Sequence, residues 1–312
     1  MIKHFLNINS VGKKNLKQIL SLSKKFKEGR ARKKGSRILH GEILGMIFVQ
    51  PSTRTRVSFE IGMKQLGGDV VILDHLNTQL VRGETMADTA RVLSRYLDIM
   101  MIRTNDEKDL TELAENSSIP VINGLTDQAH PCQIVGDILT FEERLGAIQG
   151  KKIAWIGDVN NVANSWIHAA ITLGFTLNIG CHPQLPPSKE ILSLIKKPRS
   201  GVNIYKDASE AVKGTDCVIT DTWVSMNNKN VSKRKRLLKP YQVDAGLMKL
   251  ANKNAIFMHC LPAHRGEEVT SSVIDGSQSA VWDEAENRLH AQKGIIAWCL
   301  SKNSKRCKRF AL

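Results

Sequence analysis

The stretch Ile43-Leu44-Gly45-Met46-Ile47-Phe48-Val49-Gln50-Pro51-Ser52-Thr53-Arg54-Thr55-Arg56 decides how the rest of the chain is read. Its first half is an apolar run of the length of a buried strand. Phe59, Met63 and Leu66 then recur at i, i+4 and i+7, which is helical spacing, until Gly67-Gly68 stops the pattern. The residues between, Pro51 to Arg56, are therefore a strand-to-helix turn. A helix N-terminus presents free N–H groups and about half a positive charge. Here three hydroxyls and two arginines are added to it, on five consecutive residues from Ser52 to Arg56. A Ser-Thr pair alone would read as an ordinary cap. Five neighbouring donors read as a seat for a phosphate-like anion.

The chain that carries this turn has 312 residues, too many for one ordinary core and suited to two domains. With 42% hydrophobic and 24% charged residues and no apolar run of membrane-spanning length, it reads as a globular protein that does not enter a membrane. Residues 1 to 9 lack the apolar core and cleavage pattern of a secretory signal, so a cytoplasmic location is expected. The six cysteines form no C-x-x-C pair and sit in mostly apolar surroundings, which indicates neither zinc nor a disulfide framework. A net charge of +15 admits a polyanion binder, but aromatics are only 5% and the charge is spread along the chain. The basic runs Lys233-Arg234-Lys235-Arg236 and Lys305-Arg306 with Lys308-Arg309 are read as solvated surface, and nucleic acid is not an expected partner.

Outward from the turn, strands and helices alternate. A lysine-rich amphipathic helix is expected over 13–34. Strands are expected at Val70–Leu73, Ile99–Ile102, Pro120–Asn123, Lys152–Gly157, Leu177–Cys181, Val202–Tyr205, Cys217–Thr220 and Ala255–Met258. Helices are expected over 86–97, from Pro131 through Leu145, from about Val162 to Leu173, and from the Glu284–Arg288 stretch to about Ser301. This is the pattern of an α/β protein with two doubly wound parallel-sheet domains and a C-terminal helix returning to the first. The pattern restarts near Gly146–Gly150, so the domains are placed at 1–146 and 147–285, with 286–312 as the returning helix.

The polar residues that interrupt this alternation cluster where expected strands end, and in an open parallel sheet the carboxyl edge is where ligands bind. Arg103 follows Ile99–Ile102. His130 and Gln133 stand at the start of the helix that Pro131 opens. Gly157-Asp158-Val159-Asn160-Asn161 follows another strand, but Val159 and Val162 occupy the second and third glycine positions of a G-x-G-x-x-G fingerprint, which argues against a nicotinamide dehydrogenase. Asp221 directly follows Cys217–Thr220, offering a carboxylate for an amine or a simple cap. Cys260, in His259-Cys260-Leu261-Pro262, would in isolation read as inert packing.

The hexad resembles the phosphate-binding signature of the carbamoyltransferases. H-P-C-Q at 130–133, D-x-x-x-S-M at 221–226, H-C-L-P at 259–262 and E-N-R at 286–288 extend the likeness along essentially the whole chain and narrow it to the ornithine branch of the aspartate/ornithine carbamoyltransferase family. The resemblance implies carbamoyl phosphate on Ser52, Thr53, Arg54 and Thr55, with Arg103, His130, Gln133, Cys260, Leu261 and Arg288 around its phosphate and carbamoyl groups. It also implies Gln79 reaching into a neighbouring subunit's site. L-Ornithine would lie against Asn161, Asp221, Ser225 and Met226. Arg54, Arg103, His130 and Cys260 would carry the catalysis. Implied too is a homotrimer; no cofactor and no metal are expected. The sequence departs from the family pattern at Asn227, where Gly is usual; Asn tolerates left-handed backbone angles better than most residues. Rival expectations are a carbamoyltransferase for putrescine, acetylornithine or aspartate, and a basic polyanion-binding protein on the same fold.

Overall fold

The computed structural model describes residues 2–31, 37–74, 78–224 and 230–301. The chain divides into two compact units, Met1–Leu139 with Asn287–Leu312, and Thr140–Glu286.

The first unit holds α1 (Ile8–Ala31), β1 (Ile43–Phe48), α2 (Thr53–Gln65), β2 (Asp69–Asp74), α3 (Met86–Leu93), β3 (Ile99–Arg103), α4 (Glu107–Asn116), β4 (Val121–Leu125) and most of α5 (Pro131–Leu145). Its four strands are all parallel in the order β2-β1-β3-β4. A parallel strand covered on both faces must be apolar throughout, which is why β1 and β3 were readable as continuous runs. Ile47, Met100, Ile102, Leu110, Leu113 and Val121 are buried together in its core. The chain goes from β1 outward to β2 and then back across to β3, so the order reverses between β1 and β3. Such a reversal leaves a crevice at the strands' carboxyl ends. Phe48 and Arg103 lie opposite one another there.

The second unit holds β5 (Lys152–Ile156), α6 (Asn161–Leu173), β6 (Thr176–Gly180), α7 (Lys189–Ile195), β7 (Val202–Tyr205), α8 (Ala208–Val212), β8 (Cys217–Thr220), α9 (Val231–Leu238), α10 (Ala245–Met248), β9 (Ile256–His259), α11 (Ser271–Ile274) and the start of α12 (Val281–Leu300). Five parallel strands run in the order β7-β6-β5-β8-β9, with the reversal between β5 and β8. Ala154, Ile156, Val218, Phe257, Val269 and Val281 share its core.

The units change over inside α5 and α12, two continuous helices, whereas the sequence reading puts the divisions at Gly146 and after residue 285. From Asn287 onward α12 packs within the first unit, and glycines set how closely. A Cβ on Gly294 would lie 2.1 Å from Ser23 Oγ and 2.8 Å from the Ile19 carbonyl, so only a bare Cα allows α1 and α12 to approach this far. On α5, a Cβ at Gly136 would lie 3.4 Å from the Arg288 nitrogen.

Strand limits match the sequence expectation to within one or two residues. Helix α1 begins earlier, at Ile8, with Gly12 at φ 74° and ψ 162° interrupting the helical path near its start. Helix α3 ends at Leu93, four residues early, because Ser94–Leu97 tightens into turns that bring Leu97 back against Gly45. Helix α12 starts three residues before the Glu284–Arg288 stretch. Among the described residues no helix is long and apolar enough to cross a membrane. Of the basic run on α9, Arg234 pairs with Asp158 and Lys235 with Glu267, so half of its charge is neutralised within the chain.

Candidate active site

In the first unit the Pro51–Arg56 turn joins β1 to α2 at the topological reversal. Ser52 caps α2, its Oγ accepting the Thr55 N–H at 3.3 Å. Thr53 and Arg54 are exposed on the first turn. Thr55 is wholly buried, and its Oγ1 accepts from two guanidinium groups, Arg288 Nη2 at 2.9 Å and Arg103 Nη1 at 3.4 Å. One hydroxyl thus ties the turn to the end of β3 and to α12. Arg56 faces away, toward Asp74 at 3.5 Å with both side chains about half exposed, a pair worth little in stability.

His130 and Gln133 are buried at the start of α5, where the His130 carbonyl accepts the Gln133 N–H at 3.1 Å. Gln133 Nε2 donates to Asp137 Oδ1 at 2.7 Å, which fixes which end of the amide is which. Burial first, and then the positive charges of Arg288, Arg103 and Arg54, hold the His130 imidazole well below its ordinary value of 6.5. Four side chains far apart in sequence therefore share one electrostatic neighbourhood, with a neutral imidazole among guanidiniums. Cys132, between them, donates to the Asn123 carbonyl at 3.2 Å, and burial pushes its thiol up to about 12, so it is packing. Gln79 is exposed on a 3-10 turn (Gln79–Arg82) beyond the edge strand β2.

The depressed His130 value has a consequence for stability. In the unfolded chain the ring takes a proton near pH 6.5, whereas the folded protein resists it to a lower pH. The unfolded state binds more protons between the two values, so this contribution is complete above about pH 6.5 and is lost as pH falls below it. His4 and His168, also lowered by burial, act in the same direction. In urea unfolding from pH 7.5 to 5.0, His130→Gln is expected to flatten the decline by at most about 1.4 kcal/mol per pH unit. An unchanged slope would remove His130 from the effect.

In the second unit the polar groups again gather at the reversal. Asp221 follows β8, with Oδ1 accepting from Cys260 Sγ at 3.2 Å and the Thr222 N–H at 2.8 Å, and Oδ2 from Asn160 Nδ2 at 2.6 Å. Asn160 also caps α6, its Oδ1 accepting the N–H groups of Val162 and Ala163. Cys260 is half-buried at the end of β9, unlike Cys132, Cys181, Cys217 and Cys299, which are buried. Leu261 stands at φ 57°, in the left-handed region that non-glycine residues seldom enter. Asn161 is the first residue of α6 and accepts the Ser165 hydroxyl through its carbonyl at 3.0 Å. Ser225, Met226 and Asn227 lie outside the described residues.

Sequence reasoning missed Asn160 and favoured its neighbour Asn161; the capping pattern of α6 was the available signal, since a residue just before a helix turns its side chain back. It also missed Asp158, whose buried carboxylate pairs with Arg234, and the glutamates around His259. Arg234 is 76 residues from Asp158 and Glu284 is 25 from His259, and although Glu268 is only nine away, no local pattern marks any of them.

Residues 3–143 match the family model described as aspartate/ornithine carbamoyltransferase, carbamoyl-P binding domain, and residues 149–299 match the Asp/Orn binding domain of the same family. The chain belongs to the aspartate/ornithine carbamoyltransferase family. Among its relatives, an ornithine carbamoyltransferase of Rhodopseudomonas palustris is 57% identical over 301 residues, covering 96% of this chain and 97% of its own. One from Bradyrhizobium diazoefficiens is 54% identical over 297 residues, covering 95% and 97%. The solved ornithine carbamoyltransferase of Pyrococcus furiosus superposes with a TM-score of 0.90 at 43% identity, covering 95% of this chain and 96% of its own.

Proposed function

We propose that the chain transfers the carbamoyl group of carbamoyl phosphate to the side-chain amine of L-ornithine, giving L-citrulline and phosphate. The carrying observation is the contrast between the two sheet ends. The first gathers Arg54, Arg103 and Arg288 around a neutral His130 and suits a dianionic acyl phosphate. The second presents a carboxylate, Asp221, beside a thiol and an amide, and suits a substrate bearing amines. The high identity to ornithine carbamoyltransferases supports the same acceptor.

In this reading residues 1–146 bind carbamoyl phosphate, 147–285 bind ornithine, and 286–312 bring Arg288 to the first set. Ser52, Thr53, Arg54 and Thr55, with Arg103 and the positive end of α2, hold the phosphate and stabilise the charge it takes on leaving. His130, Gln133, Arg288 and the Cys260–Leu261 backbone hold the carbamoyl group, donors meeting the oxygen and acceptors the nitrogen. Asp221 with Asn161, Ser225 and Met226 binds the amino acid, and Asp221 with Cys260 orients its side-chain amine. The neutral amine nitrogen forms the new bond to the carbonyl carbon. Collapse of the tetrahedral adduct breaks the bond to the phosphate oxygen, and the proton lost by the amine nitrogen passes to the departing phosphate, which leaves as hydrogen phosphate. Because carbamoyl phosphate is already activated, holding the two reactants in line supplies most of the acceleration.

A homotrimer with Gln79 completing a neighbouring subunit's site, a cytoplasmic location and a role in arginine biosynthesis belong to the same proposal and rest on the family resemblance. Citrulline-type product formation across acceptors tests the substrate. Ornithine is expected to exceed putrescine, acetylornithine and aspartate in kcat/KM by about 100-fold or more, since an acceptor lacking a recognised polar group leaves its partner unpaired. Faster turnover of any rival would overturn the assignment.

A further inference from the structure

His259, the last residue of β9, is 1% exposed and is held at three points. Its backbone N–H donates to Glu284 Oε2 at 2.8 Å. Its Nδ1 accepts the N–H of Leu261, two residues on, at 2.9 Å. An accepting nitrogen must present its lone pair, so the ring proton is on Nε2, which meets Glu268 Oε1 at 3.2 Å. Glu268 is itself wholly buried and accepts the His264 N–H as well. Burial alone would push its carboxyl up, but the hydrogen bonds from His259 and His264 bring it below its ordinary value, so it stays an acceptor. A ring nitrogen of His259, Cys260 Sγ and a carboxylate oxygen of Asp221 all lie within 4.8 Å of one another. Between the held ring and Pro262 stands Leu261 at φ 57°, a backbone angle that persists only where the surroundings impose it.

We propose that His259 is a positioning residue for the carbamoyl transfer: oriented by Glu268 and Glu284, its ring closes the His259–Leu261 turn, forces Leu261 left-handed, and so seats the Cys260 thiol on Asp221. This rests on the reading above in which Cys260 and Leu261 face the reacting groups. His259 touches neither substrate in it. The ring acts through the backbone of its two successors.

Two substitutions in the full-length chain separate the halves of the device. In His259→Asn, the side-chain oxygen sits near the place of Nδ1 and can accept the Leu261 N–H, but cannot reach Glu268. In His259→Gln, the amide reaches Glu268 but is too long to close the turn. Relative to the parent, H259N is expected to keep kcat within about tenfold, and H259Q to lose about 100-fold, the usual size for a displaced transition-state group. The KM for carbamoyl phosphate should move less than about threefold in both, since its phosphate donors lie in the other unit.

The rate at which iodoacetamide alkylates Cys260, followed by mass spectrometry without substrates, reads the thiol's placement independently of turnover. It is expected to change by about fivefold or more in H259Q and to stay near the parent's in H259N. Adding Leu261→Gly to H259Q lets the backbone take the left-handed angle unaided, and should recover about fivefold of the lost kcat. Equal losses in H259N and H259Q, or no recovery in the double variant, would overturn the proposal. A changed alkylation rate with unchanged turnover would uphold the positioning and instead refute the catalytic reading of Cys260. If H259Q does not fold, folded H259N decides alone: kcat within about tenfold supports the proposal, and a loss beyond about 100-fold overturns it.

Discussion

Arg103→Ala is expected to lower citrulline formation by about 100- to 1,000-fold, the usual consequence of removing one donor aimed at developing charge. The geometry gives the reason. Arg103 ends β3 directly opposite Phe48 of β1, so its guanidinium emerges where the sheet order reverses, and its Nη1 lies 3.4 Å from Thr55 Oγ1 on the Pro51–Arg56 turn. A phosphate on that turn meets the α2 N-terminus from one side and Arg103 from another. Arg54→Ala should lose as much with less effect on folding, because Arg54 is exposed. Arg103→Lys keeps the charge but not the planar pair of donors, and should recover only part of the loss. Steady-state rates on purified variants, with thermal unfolding to show that each is folded, check the set. Near-parent turnover in folded Arg54→Ala or Arg103→Ala would end the role assigned to that residue.

The sequence was informative wherever a residue's environment is set by its immediate neighbours. β3, β8 and β9 are buried along nearly their whole length, so each announces itself as an uninterrupted apolar run. The residue after the first two runs then falls on the carboxyl edge by geometry alone, which brought out Arg103 and Asp221 without knowledge of the sheet order, whereas Cys260 read as packing until the H-C-L-P resemblance marked it. What stayed hidden depends on side chains meeting across long separations. Arg288 reaches Thr55 over 233 residues, and Asn160 reaches Asp221 over 61. Glu268 and Glu284 look like ordinary surface acids in the sequence, yet both are buried against His259. Arg56 shows the opposite error: it sits among the turn's donors in sequence, but helical rotation carries it round to Asp74.

Asp221→Asn is the complementary test, aimed at the other substrate. The carboxylate of Asp221 accepts from three donors, Cys260 Sγ, the Thr222 N–H and Asn160 Nδ2. An asparagine there has one oxygen, and its NH2 must point at one of those donors, so at least one hydrogen bond becomes a repulsion. Loss of a buried, hydrogen-bonded charge facing a ligand amine costs about 2–5 kcal/mol, or roughly 30- to 5,000-fold in kcat/KM for ornithine. The KM for carbamoyl phosphate should hold, because its phosphate donors come from the first unit, and that split separates a lost acceptor contact from general damage. A second readout follows from Asp158. Burial is the main cause that raises its carboxyl above the ordinary value, and the charge of Asp221 adds to it. Neutralising Asp221 should therefore lower the Asp158 value, which NMR titration of its carboxyl carbon can follow. If folded Asp221→Asn used ornithine as well as the parent does, the amine would have to be recognised elsewhere. Arg103 and Asp221 thus make opposite predictions about which substrate's kinetics move, and a variant at either position that disturbed both equally would contradict the assignment of the two sheet ends to two substrates.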